Sequence, residues 1–198
     1  MSQSQQDTIA QLAATIATAD GSTFFDAEHE SAKAPVRAKA LRLLGQRMRS
    51  REELRRRLQE DQRWAPALID EVLADLVAAH LINDREFAEQ WVRQRSRVRG
   101  KSRAVLNREL AEKGVNEGDR AAALAQITPE SEEAVAQALA AKKAATIRHR
   151  PSDYAQRQKD LRRVLGVLAR RGYSHELSMH VASRALAEHY DNLAPDAE

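Results

Sequence analysis

Apolar residues recur every three or four positions in short runs set off by caps and glycines. No stretch alternates apolar and polar residues as a half-buried strand would. Leu41, Leu44 and Met48 form an i, i+3, i+7 stripe. Ser50 with Glu53 reads as a capping box opening a helix that presents Leu54 and Leu58. Pro66 stands where a third helix begins, its apolar face made by Leu68, Ile69, Val72, Leu73, Leu76 and Val77. Asn83 or Asp84 caps a fourth helix that carries Phe87, Trp91 and Val98 and ends at Gly100. A fifth runs from Lys101 to Lys113 through Val105, Leu106 and Leu110, with Gly114 as its stop. A sixth spans about Glu117 to Ile127, and Thr128 with Pro129 opens a seventh through Val135 and Leu139. Beyond Pro151 come an eighth, with Leu161, Val164, Leu165 and Leu168, and a ninth capped by Ser174.

The helices fall into threes. Leu110-Ala-Glu-Lys-Gly114-Val115 parallels Leu168-Ala-Arg-Arg-Gly172-Tyr173, and Leu58 to Trp64 is a looser version without glycine. A lone helix triplet buries little apolar area and gains by stacking on a neighbour. The expected fold is therefore all-α, an elongated tandem array of three three-helix repeats at 37–82, 83–128 and 129–190. Residues 1–36 form an acidic, largely disordered N-terminal extension, and residues 191–198 an acidic tail. Within the extension, Thr8 to Ala19 could form a short amphipathic helix through Ile9, Leu12 and Ile16. The acidic, turn-rich stretch from Asp20 to Pro35 reads as a linker.

Composition sharpens the reading. Cysteine is absent, which excludes disulfides and thiolate chemistry, and there is neither a secretory leader nor an apolar run of membrane-spanning length. A cytoplasmic protein is expected. The formal net charge of +3 conceals a segregation. Residues 1–36 carry −4, the residues after Leu186 another −4, and the body from Arg37 to Leu186 carries +11. A basic body between acidic ends suits an anionic partner, although an Arg-rich solvated helical surface has the same composition.

No catalytic constellation is legible. His175 and His180 are five apart, which separates them by roughly 140° around a helix and spoils a two-histidine zinc face. The Gly100-Lys101-Ser102 triplet lacks the upstream glycine and preceding strand of a phosphate loop. No cofactor or metal is expected. The basic residues are the candidate chemistry. Arg93 and Arg97 share one side of their helix, Arg95 and Arg99 another, and the stripe of Phe87, Trp91 and Val98 lies nearer the second pair. Trp91 reads as core rather than as a platform for a nucleobase. Comparable strips occur around Arg49 and Arg55 and around Arg162, Arg163 and Arg170. If the three strips line one surface, their guanidinium groups would grip phosphates or carboxylates.

The motifs then take on a family likeness. The first repeat, ALRLLGQRMRSREELRRRL, resembles the opening pattern of the RecX family, an alanine-leucine helix followed by R-x-R-S-x-x-E-L. Asp84, Phe87, Ala88, Trp91, Arg95, Gly100, Glu109, Leu110, Lys113, Gly114 and Val115 fall on that family's central signature. The stretch LRRVLGVLARRGYSHEL resembles the ending of its last repeat. The resemblance covers roughly residues 38–187. One departure is Asn83-Asp84 where many members have two aspartates, and the N-terminal region has no counterpart. The likeness implies a non-enzymatic negative regulator of the RecA recombinase. Such a protein binds the RecA filament on single-stranded DNA, in its helical groove, and inhibits ATP hydrolysis, strand exchange and filament extension. It would thereby modulate DNA repair and recombination. The expected contact residues are Arg95, Arg97, Arg99, Lys101 and Arg103 at the centre, with Arg49, Arg55, Arg162, Arg163 and Arg170 extending the surface. A monomer with at most weak direct DNA binding is expected. The competing class is a sequence-independent DNA-binding protein acting without RecA.

Overall fold

The computed structural model describes residues 22–193, with side chains from residue 27 onward. The expected helix from Thr8 to Ala19 and most of the acidic tail lie outside the described residues. Among those described there are nine α-helices and no strand: α1 (Ser22–Gln46), α2 (Arg51–Gln59), α3 (Pro66–Ala78), α4 (Asp84–Arg97), α5 (Arg103–Glu112), α6 (Glu117–Leu124), α7 (Pro129–Ala144), α8 (Tyr154–Ala169) and α9 (His175–Asn192).

Capping explains most of the helix starts. Asn83, rather than Asp84, is the cap of α4: its side-chain oxygen accepts the Glu86 N–H at 3.0 Å. Ser102, Asn116, Thr128, Asp153 and Ser174 each serve the third residue of their helix in the same way. Gly100, Gly114 and Gly172 take left-handed backbone with φ of 58°, 73° and 81°, where an L side chain is disfavoured.

The long first helix overturns the linker reading from Ser22 onward. α1 runs through Pro35 without a break, and its inward stripe is Lys33, Val36, Ala40 and Leu43. Tertiary ion pairing explains why an acidic segment with proline is helical here. Lys33, 8% exposed, sits 2.7 Å from Glu30 and within 4 Å of Glu71 and Asp75 on α3. Arg37 reaches Asp75 at 2.7 Å, and His29 reaches Glu71 at 2.5 Å. This pairing fixes which face of α1 turns inward, so the expected Leu41–Leu44–Met48 stripe is displaced. Leu41 and Met48 are exposed and Leu44 is only half-buried.

The described residues form three hydrophobic cores, each made by three consecutive helices. The first gathers Val36, Ala40 and Leu43 of α1 with Leu54, Leu58, Ile69, Val72, Leu73 and Leu76. The second centres on Phe87, Val92, Leu106, Leu110, Val115 and Leu124. The third packs Val164 and Leu168 with Val181, Leu186 and an alanine face, Ala136, Ala140 and Ala144, which lets α7 lie close against α9. Each fully buried Leu or Ile contributes about 1.5–3 kcal/mol. The third core also holds an aspartate. Asp160 is fully buried, accepting the Tyr190 hydroxyl at 3.1 Å and an Arg163 N–H at 3.0 Å. Two expected core positions are exposed instead: Val77 by 41% and Val98 by 78%, the latter because it lies past the end of α4.

Contacts divide the chain into two units. One comprises the described residues up to Met48 with Leu54–Ile82, and the other Arg49–Glu53 with Asn83 onward.

Candidate basic docking surface

The second unit is built around a joint that occurs twice. Ser102 caps α5 by accepting the Val105 N–H at 3.3 Å, and it donates its own hydroxyl proton to the Gly172 carbonyl at 2.7 Å. Its backbone N–H goes to the Arg171 carbonyl at 3.0 Å. From the opposite side the Tyr173 hydroxyl donates to the Gly100 carbonyl at 3.0 Å and Arg171 Nε to the Arg99 carbonyl at 3.3 Å. In the other joint, Ser50 accepts the Glu53 N–H at 3.1 Å and donates to the Lys113 carbonyl at 2.6 Å. Thus Lys101-Ser102-Arg103 meets Arg171-Gly172, and Arg49-Ser50-Arg51 meets Lys113-Gly114. The glycines are required by contact as well as by φ. A Cβ on Gly172 would lie 2.1 Å from Val105 Cγ2, and one on Gly114 would lie 2.3 Å from Glu52 Cβ. The sequence shows the glycine endings as marks of a repeat. It gives no sign that the two serines bind across to them.

Five of the ten expected contact residues are engaged in ion pairs within the chain. The Arg95 guanidinium lies 3.5 Å from the centroid of the Trp91 ring, and Lys113 Nζ lies 4.5 Å from it. Trp91 Nε1 donates to Glu109 Oε2 at 3.0 Å, Arg95 Nη1 is 3.6 Å from the same oxygen, and Lys101 pairs with the other. Burial alone would raise the Glu109 carboxyl. The hydrogen bonds from Lys101 and Trp91, with the charges of Lys101 and Arg95, outweigh it and hold the group below the ordinary carboxylate range. Lys113 and Arg49 share Glu53 at 2.9 and 3.0 Å, Arg55 pairs with Asp70 at 2.7 Å, and Arg163 with Asp160. Half-buried Trp91 therefore belongs to an internal cation–indole–carboxylate cluster, consistent with its reading as core.

Arg97, Arg99, Arg103, Arg162 and Arg170 differ. All are exposed, and their guanidinium groups make no ion pair or hydrogen bond among the described residues. The joint gathers most of them. Arg97, Arg99 and Arg103 occupy the corner between α4 and α5, and Arg170 precedes Arg171, whose guanidinium holds the Arg99 carbonyl. Arg162 lies roughly 12 Å further back along α8.

Tyr173 makes the joint sensitive to alkali. Burial, helped by the charge of Glu132, pushes its phenol up to about 12 from an ordinary 10.0. Its proton is the one donated to Gly100. A raised folded-state value means that this contribution is whole below about pH 10 and is lost as pH rises through about 12. Urea denaturation between pH 8 and 11.5 is expected to show falling stability above pH 10, with a shallower fall in Tyr173→Phe.

Residues 37–76 match the first three-helix domain of RecX and residues 83–124 the second. The regulatory protein RecX of Corynebacterium efficiens is 51% identical over 172 residues, 87% of this chain and 81% of that protein. The chain belongs to the RecX family. The RecX protein of Streptomyces coelicolor is 39% identical over 77% of this chain and 78% of its own length. RecX of Lactobacillus salivarius has a crystal structure that shares the fold, with a TM-score of 0.66 at 22% identity, covering 80% of this chain and 99% of that one. A further crystal structure of a RecX regulatory protein superposes with a TM-score of 0.67 at 23% identity. RecX proteins are regulatory and not enzymes. The helical stretch from Ser22 to Val36 precedes the matched first domain. No helix among the described residues is long and apolar enough to cross a membrane.

Proposed function

We propose that this chain is a negative regulator of RecA that binds the RecA filament on single-stranded DNA, within its helical groove. There it suppresses ATP hydrolysis, strand exchange and filament extension. It acts as a cytoplasmic monomer built of repeats at 37–82, 83–128 and 129–190. Membership in a regulatory family supports the reading. The observation that carries it is the group of arginines around the Ser102–Gly172 joint, Arg97, Arg99, Arg103 and Arg170, whose guanidinium groups have no partner among the described residues. Unpaired guanidinium groups on an ordered backbone favour an anionic partner, because no internal ion pair has to break on binding.

The experiment measures the DNA-dependent ATPase of RecA with this chain present, and separately the chain's affinity for single-stranded DNA across a salt titration. Inhibition below one chain per RecA, with weak binding to bare DNA, is the expected result. Tight, steeply salt-dependent DNA binding, with inhibition only through competition for DNA, would replace the reading by a DNA-binding protein acting without RecA.

A further inference from the structure

A groove of about 470 Å³ opens beside the Ser102–Gly172 joint, between α5, α6 and the starts of α7 and α9. We infer that it is a docking site for a polypeptide segment that offers an apolar side chain next to a carboxylate. This deepens, and rests on, the reading of the chain as a filament-binding regulator.

The floor is apolar. Ala104 and Ala121 are exposed alanines whose small side chains leave the concavity open, and Leu124 and half-buried Leu177 lie beneath. A sugar–phosphate backbone gains nothing from such a floor, whereas an aliphatic or aromatic side chain does. The walls are already fixed. Arg120 donates to Asn107 Oδ1 at 3.0 Å and to the Val115 carbonyl at 2.7 Å, and Glu132 accepts the Arg103 N–H at 2.7 Å. A groove held open in this way needs little ordering when it is filled.

The lining charges select the occupant. Arg103 and Glu117 are the lining charges whose side chains have no bond among the described residues. Glu117 stands in the first turn of α6, where the helix dipole favours a negative charge. Arg103 has no such support, so a carboxylate is its natural complement. A continuous polyanion would meet Glu117 and Glu132 at close range, and their repulsion argues for protein over nucleic acid.

Filling the groove tests this without touching the other arginines. Ala121→Trp and the milder Ala104→Leu change exposed positions, and thermal melting by circular dichroism checks that each folds. With RecA filaments on single-stranded DNA as the probe, Ala121→Trp is expected to weaken binding at least tenfold and Ala104→Leu severalfold. Affinity for bare single-stranded DNA should stay unchanged in both. If the wild-type chain binds the filament and both folded variants bind equally well, the groove inference is overturned and the regulatory reading stands. An equal loss toward bare DNA would make the groove a nucleic-acid site and overturn it too. If the wild-type chain ignores the filament, the regulatory reading falls first. Should Ala121→Trp not fold, Ala104→Leu and the smaller Ala121→Leu decide by the same readout.

Discussion

Replacing Gly172 with alanine is expected to destabilise the second unit by about 2–4 kcal/mol. Two costs combine. At φ +81° an L residue gives up roughly 1 kcal/mol relative to glycine. The new methyl would also stand 2.1 Å from Val105 Cγ2 and 3.0 Å from Ser102 Oγ, so the joint must open. Forcing a carbon into a packed site costs about 1–3 kcal/mol. Opening the joint also strains the hydrogen bonds from Ser102 to Gly172 and from Tyr173 to Gly100. Gly166→Ala is the control. It lies inside α8, its new methyl would meet only the end of the Arg170 side chain at 3.4 Å, and helix propensity favours it by up to about 1 kcal/mol. Trp91 lies in the second unit and Trp64 in the first, so Trp91 fluorescence in a Trp64→Phe background reports the unit in question during urea denaturation. A Gly172→Ala midpoint matching that of Gly166→Ala would show that the joint is loose and that its glycine is incidental.

The contrast between these glycines also shows what could be read from sequence. Local signals were legible. Asn83, Thr128 and Ser174 are oxygen-bearing side chains ahead of apolar runs, and they do cap. Gly100, Gly114 and Gly172 follow the last periodic residues, and they do turn left-handed. What stayed hidden depends on partners distant along the chain. α1 is helical through Pro35 because Lys33 and Arg37 find Glu71 and Asp75 some forty residues away, and an acidic, non-periodic stretch gives no local hint of that. The same pairing turns Leu43 inward and Leu41 outward. The candidate site divided for a similar reason. Arg95, Arg97, Arg99 and Lys101 look alike in sequence. Only the fold brings Glu109 to Arg95 and Lys101 while leaving Arg97 and Arg99 in solvent. The spacing of the arginines fixed their angles around the helix, but the register of the carboxylates on α5 was needed to separate structural cations from available ones.

That separation carries the largest functional effect expected. Arg97→Glu, Arg99→Glu and Arg170→Glu combined should reduce affinity for the RecA filament by on the order of 100-fold or more. Reversing a charge that meets an anionic surface loses about 1 kcal/mol or more per site, and each 1.4 kcal/mol is tenfold. Stability should barely move, because none of the three guanidinium groups is bonded among the described residues, and unbonded surface positions change it by about 0.5 kcal/mol or less. Arg95→Ala is expected to do the opposite. It strips a guanidinium from Trp91 and leaves Glu109 with one cation fewer in a half-buried place, costing about 1–2 kcal/mol. The folded fraction should then bind the filament almost normally. Titration of fluorescently labelled filaments, with the concentration of folded chain set by circular dichroism, measures both variants on one scale. If the triple variant binds like wild type while folded Arg95→Ala does not, the anionic partner is met by the Trp91 cluster rather than by the exposed corner. The cation that is geometrically committed would then be the functional one, and the joint would serve only to hold two triplets together.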